Sequence, residues 1–399
     1  MPVRNCLREM LLLLLLCAGA RADDSGSLGW TFGGPGADEG TCVWQTSDGG
    51  FIVTGTNASG DSGRPALWLL KVTAGGKREW SHLFPLGEYY SGESLLVGDD
   101  GGFTVVGVTL TAAPVNFDVR LLHTNRQGKQ LWDRRFGGDG WDWSNFVSPS
   151  GDGGYIITGW TDSGGAAGGD LWLIKTDKDG VREWSRSYGG FDHEEGFCVQ
   201  ATNDGGFIAT GITATYSISE EDLWLIKTDG AGQLQWTRTY GGAGFDEGRY
   251  VEQTRDGGYI VVGSNSSRGA GETDVWLIKL TAQGEMSWSR VFGGRRRDWG
   301  HAVHQTSDGG YVIVGSTLSF GAGGSDVWLI RTDAQGIKLW DRTYGGQDLD
   351  FGNAVQPTAD GGFVIAGKTH SFGAGGSDLW LIKTDSFGMV QPAREPAGQ

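Results

Sequence analysis

Positive charge is scarce in this chain. Its 32 Lys and Arg face 48 Asp and Glu, for a formal net charge of −16. That sign argues against nonspecific binding to DNA, RNA or an anionic membrane, all of which call for a basic surface. Proline stops at nine residues, histidine at six and cysteine at four. There is no CxxC pair, no Ser/His/Asp set and no glycine loop opening a helix, so zinc, acyl-transfer and phosphate chemistry have no sequence signal. No segment has the length and 3.6-residue apolar period of a helix. The longest apolar run, Leu11 to Leu16, is too short to cross a bilayer.

Glycine and aromatics are abundant instead. The chain of 399 residues holds 72 Gly, 18 Trp, 17 Phe and 10 Tyr. Glycine shows no three-residue period, which excludes collagen, and the aromatic content excludes disorder. Short strands joined by tight turns fit this composition, and the fold class expected is all-β.

Residues 1–22 read as an export signal: Arg4 and Arg8, then the leucine run, then small residues at Ala20 and Ala22. Cleavage between Ala22 and Asp23 would make the protein secreted. Loss of Arg4, Arg8, Arg21 and Glu9 takes the charge from −16 to −18. Cys6 and Cys17 leave with the leader. Two sequons remain, at Asn57 and Asn265, and mark glycosylation as an expectation.

The rest is one unit repeated. Asp-Gly-Gly begins at Asp48, Asp100, Asp152, Asp204, Asp256, Asp308 and Asp360, always 52 residues apart. Leucine recurs in step at Leu69, Leu121, Leu173, Leu225, Leu277, Leu329 and Leu381. Each unit reads as four strands with glycine turns, and seven such units describe a seven-bladed β-propeller over 23–388, with a flexible tail at 389–399. The chain opens in the phase of a fourth strand and closes after a third. Residues 28–32 are therefore expected to complete the last blade and close the ring. The two tryptophan phases, represented by Trp276 and Trp288, are expected to pack between blades. Cys42 and Cys198 fall three blades apart, beyond disulfide reach, and are expected as unpaired buried thiols.

The signature Thr306, Asp308-Gly309-Gly310-Tyr311, Gly315, Asp326, Trp328-Leu329-Ile330, Gly336 and Trp340 resembles the secreted and cell-surface β-propeller repeats of bacteria and archaea. Its turns are also similar to those of quinoprotein and kelch propellers. The resemblance implies a repeat fold and assigns no activity.

Function is sought where repeats differ. The loops after the second and fourth strands share one face, and the first kind varies most. Tyr89, Tyr90, Trp141, Trp143, Trp160, Trp299 and Phe351 lie there outside the repeat phases and form the candidate ligand platform, or else local plugs. Acids recur at Asp38, Asp142, Glu194, Asp246, Asp298 and Asp350. Such a ring would either cap its own glycine turns or hold Ca²⁺, the one ion the sequence leaves open. His301 and His304, three apart on a strand, are expected to face opposite ways, without zinc. The reading favoured is a monomeric binder of a glycan or an extracellular protein, without membrane insertion. The alternatives are a carbohydrate-active enzyme using acids such as Glu194, Glu195, Asp298 and Asp350, and a passive scaffold.

Overall fold

A computed structural model describes residues 29–60, 64–84, 89–112, 115–164, 168–218 and 220–391. Among these residues there are seven four-stranded antiparallel sheets, and the fold is a seven-bladed propeller. Blade one runs from its innermost strand Asp38–Gln45 through Phe51–Asn57 and Ala66–Val72 to the outer Arg78–Phe84. The innermost strands of successive blades touch one another around a ring, as do Asp38–Gln45 and the last one, Asp350–Pro357.

Ring closure follows the expectation. Trp30–Phe32 is the outer strand of blade seven, with Trp30 opposite Leu381 and Phe32 opposite Leu379 on Asp378–Thr384. Leu379, Trp380 and Leu381 of the third strand are thereby paired at the seam. Beyond that strand, Val390 bridges Thr384 and the Gln391 amide donates to the Lys383 carbonyl.

Blades stack because both faces of each sheet are apolar. The third strand of blade five, Asp274–Leu280, is buried along its whole length, and Trp276 is 1% exposed. The outer tryptophans work differently. Each lies under the turn glycine of the next blade, as Trp236 does under Gly284. That glycine has φ +78°, so an added side chain would be strained as well as clashing.

The Asp-Gly-Gly turns are built alike. Asp256 accepts from Thr254 Oγ1 (2.6 Å) and from the Gly258 amide (3.0 Å). It also holds Lys279 Nζ at 3.0 Å. The basic residue of the third strand is thereby pulled over the turn. Arg331 pairs with Asp308 in the same way, while His123 stands near Asp100 in blade two.

Blade two departs from the others. Its second and third strands, Phe103–Ala112 and Val115–Thr124, are ten residues long where blade three has seven. The hairpin therefore stands higher above the loop face. Arg120 replaces the tryptophan of the other third strands and pairs with Asp133.

Candidate functional site

The innermost strands carry the geometry that matters most. In each blade a β-bulge interrupts this strand, between Gly300 and Ala302 in blade six, between Gly40 and Cys42 in blade one and between Ser144 and Phe146 in blade three. The extra residue leaves the ladder and turns toward the axis. The seven bulge residues are Thr41, Glu93, Asn145, Phe197, Arg249, His301 and Asn353, and all line one central cavity of about 540 Å³.

This corrects the expectation for the two histidines. The alternation rule sends residues three apart to opposite faces, but the bulge at His301 inserts one position. His301 and His304 both face the cavity. His301 Nδ1 donates to the Gly352 carbonyl at 2.7 Å, and His304 Nδ1 meets Glu252 Oε2 at 2.7 Å. Burial, ahead of the other influences, pulls the His301 imidazole below its usual pKa. No group of three or more His, Cys, Asp or Glu is set to hold a metal ion among the described residues.

Four bulge residues fasten their blade to the next. Thr41 Oγ1 donates to the Gly92 carbonyl (2.6 Å), and Asn145 Nδ2 to the Gly196 carbonyl (2.9 Å). Asn353 Nδ2 donates to the Gly40 carbonyl (2.9 Å), and His301 completes the set. Three bulge residues do not follow this pattern. Arg249 lies 4.1 Å over the Phe197 ring and pairs with Glu247 at 2.7 Å. Glu93 accepts from Ser91 Oγ. Burial pushes its carboxyl up to about 7 against that hydrogen bond, and the charges of Glu39 and Glu195 add to the rise.

The recurrent acids sit at the start of these strands and are wholly enclosed. Asp38, Asp142, Glu194, Asp246, Asp298 and Asp350 are each 0% exposed. Asp298 accepts from the Gly294 amide (2.8 Å), from Ser319 Oγ (2.7 Å) and from Thr317 Oγ1. Asp350 repeats this with Gly346, Ser371 and Thr369. Glu194 does so with Gly190 and Thr213. These carboxylates latch the loops together, and their lone pairs are taken up by protein donors. Glu195 differs, for it faces the opposite way and receives Asn145 Nδ2 at 2.8 Å.

The candidate aromatics separate into two groups. Trp141 and Trp143 flank Phe117 of the tall hairpin, with ring centroids 5.4 and 5.3 Å away. Trp143 is paired across the sheet with Trp160, whose ring meets His193 at 5.7 Å. Glu195 raises the His193 pKa, chiefly through a hydrogen bond. Trp141 is 49% exposed. A continuous aromatic row thus runs over blades two to four. Trp299 and Phe351 stand elsewhere on the ring, opposite Ser316 and Lys368. Tyr89 and Tyr90 begin the inner strand of blade two, and their side chains lie outside the described residues.

Sequence reasoning overlooked the neighbours of this row. Phe191 is 84% exposed and Ile218 is 82% exposed, and both belong to loops of the same face. Their signal was visible. Phe191 stands where other units have Asp139, Ala243, Arg295 or Gln347.

The sequon asparagines end their strands in the interior. Asn265 is 0% and Asn57 7% exposed. Asn265 Oδ1 accepts from the Arg268 amide at 2.6 Å, and Asn57 Oδ1 accepts from the Ser59 amide at 3.1 Å. Each sequon side chain is thus held against its own loop in the folded chain. The thiols need one correction. Both are free, Cys198 is buried, and Cys42 is half-buried on the cavity wall. Of the Arg295–Arg297 run, Arg297 pairs with Glu272 at 2.7 Å and the other two are exposed.

No protein-family model matches the chain, and no curated protein matches it. Solved structures do. The WD40 domain of Pan2 from Neurospora crassa superposes with a TM-score of 0.53 at 12% identity, over 87% of this chain and 89% of that one. Sqt1 from Chaetomium thermophilum gives 0.49 at 13%, over 94% and 89%. The extracellular domain of the putative one component system BT4673 from B. thetaiotaomicron gives 0.49 at 12%, over 89% of this chain and 40% of that one. At 12% identity the likeness to the Pan2 domain speaks for the fold alone.

Proposed function

We propose that this chain is a secreted interaction module that grips an extracellular protein through the loop face of blades two to four. The export-type leader and the resemblance of the repeats to secreted and cell-surface propellers support the location. One observation carries the binding reading. Trp141, Phe191 and Ile218 project into solvent from loops of one face, beside the row of Phe117, Trp143 and Trp160. Strongly exposed apolar groups beside an aromatic row on one stretch of loops are the features of a contact surface. The aliphatic tips at Val115 (64% exposed) and Ile218 favour a protein over a sugar. Trp141 supports the second reading, a glycan, since flat indoles stack on sugar rings.

The test compares the wild type with Trp141→Ala/Phe191→Ser in cross-linking to secreted proteins of its source and on a glycan array. A partner held by the wild type and lost by the folded variant supports the reading. An array hit with the same loss moves it to glycans. A partner held equally by both sinks this face as the site.

A further inference from the structure

The bulge residues of four blades share one task, and those of blades two, four and five do not; blade two puts a carboxylate there. Where Thr41, Asn145, His301 and Asn353 donate across to the next blade, Glu93 presents a carboxylate. Ser91 is its hydrogen-bond donor, and no Lys, Arg or His among the described residues pairs with it. Every nearby acid is different. Glu39 has Lys368 at 3.0 Å, Glu247 has Arg249, and Glu252 has His304.

An uncompensated carboxylate in a walled cavity is costly, and glutamine would fill the same space without that cost. The cavity around it has room for a ligand and apolar walls from Phe146, Phe197 and Tyr250. The guanidinium on its wall, Arg249, is taken up by Glu247 and the Phe197 ring and makes no ion pair with Glu93. The cavity's volume of about 540 Å³ is that of a small-molecule site, far more than a bare ion fills. The protein's net charge of −16 draws cations toward it.

We propose that the central channel binds an organic cation, an ammonium or guanidinium group, with Glu93 as its counter-ion and Phe146 and Phe197 as its walls. The site goes beyond the loop-face reading and does not rest on it. The cation enters from either of two sources, a small amine or a basic side chain of a peptide. Glu93 is protonated in part near neutral pH when the cavity is empty, so loading the cation releases a proton.

The experiment is calorimetric titration of the protein at pH 8 with agmatine, with butylamine, and with the capped peptide Gly-Gly-Arg-Gly-Gly; its Gln counterpart is the control. Each is taken to 20 mM. At least one cation should bind while the Gln peptide does not. Glu93→Gln should weaken binding at least tenfold, with melting and circular dichroism showing the variant folded. Lowering the pH to 5.5 should weaken the wild type in the same sense, and two buffers of different ionisation heat at pH 7 should reveal proton release. Trp141→Ala/Phe191→Ser should bind the cation as the wild type does, which separates this site from the loop face. Binding of agmatine or butylamine alone assigns a small amine, and binding of the peptide assigns a side chain. No saturable heat with any cation, or equal binding by Glu93→Gln, overturns the proposal.

Discussion

The indole of Trp30 lies directly on Gly76, so close that a β-carbon on that glycine would stand 2.0 Å from Trp30 Cε2. Trp30 belongs to the outer strand of blade seven and Gly76 to the last turn of blade one. The contact repeats what Trp80 makes with Gly128, or Trp236 with Gly284. It is the seam of the ring: Trp30 reaches Gly76 from the last blade because Trp30–Phe32 pairs with Asp378–Thr384 at the other end of the propeller's chain path.

Trp30→Ala should therefore destabilise the whole ring, by about 2–3 kcal/mol for a half-buried indole. Gly76→Ala should do so too, through the clash and its φ of +82°. Chemical denaturation of both variants and the double variant checks this. The double variant should fall short of the sum, since removing Trp30 removes the clash. Deletion of residues 23–34 should lower the melting temperature sharply.

The third-strand bases give an asymmetric prediction. Lys227 is 2% exposed, while its partner Asp204 is in large part solvent-facing. Asp204→Asn strands a buried ammonium and should cost about 1–3 kcal/mol. Lys227→Met leaves only an exposed carboxylate and should cost less. Equal losses in urea titrations of the two variants would contradict the pairing.

Stability should depend on pH through two sets of carboxyls with opposite signs. Asp48, Asp152, Asp204 and Asp360 sit at about 2: burial works against ionisation, but hydroxyl, ammonium and amide partners outweigh it. Their folded pKa lies below the unfolded one, so their contribution is present above about 4 and is lost as pH falls toward 2. Glu93, raised to about 7, behaves in reverse. Its contribution is full below about 4.5 and is lost as pH rises through 7. Glu93→Gln should match the wild type in melting at pH 4.5 and exceed it at pH 8, as read by scanning calorimetry.

The thiols should react unequally. Cys42 borders the cavity and Cys198 is 0% exposed. Burial raises both pKa values, Cys198 to about 12. With residues 1–22 absent, a thiol reagent at pH 8 should label Cys42 slowly and Cys198 only after denaturation. Fast reaction of both would contradict the packing.

Peptide mapping by mass spectrometry of protein secreted from a glycosylating host should find Asn265 bare, because its side chain is enclosed. A glycan on Asn265 in folded protein would contradict the described strand end.

Much of the fold was legible because each blade solves the same packing problem. The 52-residue step, the phase of Trp30 and the missing last strand together imply the closure seen. The channel was not legible, since a strand was read as strictly alternating. One inserted residue per inner strand changes which side chains face the axis, and His301 with His304 is the clearest case. The signal was present in the sequence. The position after Gly40, Gly196, Gly248, Gly300 and Gly352 is never settled, whereas the valine two further on, as at Val43, Val199 and Val251, is steady. The acids at Asp298 and Asp350 misled in the other direction. Their regular spacing suggested a rim of ligands, but spacing cannot tell a carboxylate aimed at solvent from one enclosed by Ser319 or Ser371.

The most direct test of the binding account is partner retention by folded Trp141→Ala/Phe191→Ser against wild type, with Arg295→Ala/Arg296→Ala on another part of the same face as control. The account predicts a partner captured by the wild type and by the arginine variant and lost by the aromatic one. Retention by all three, at equal yield and equal melting temperature, would contradict it.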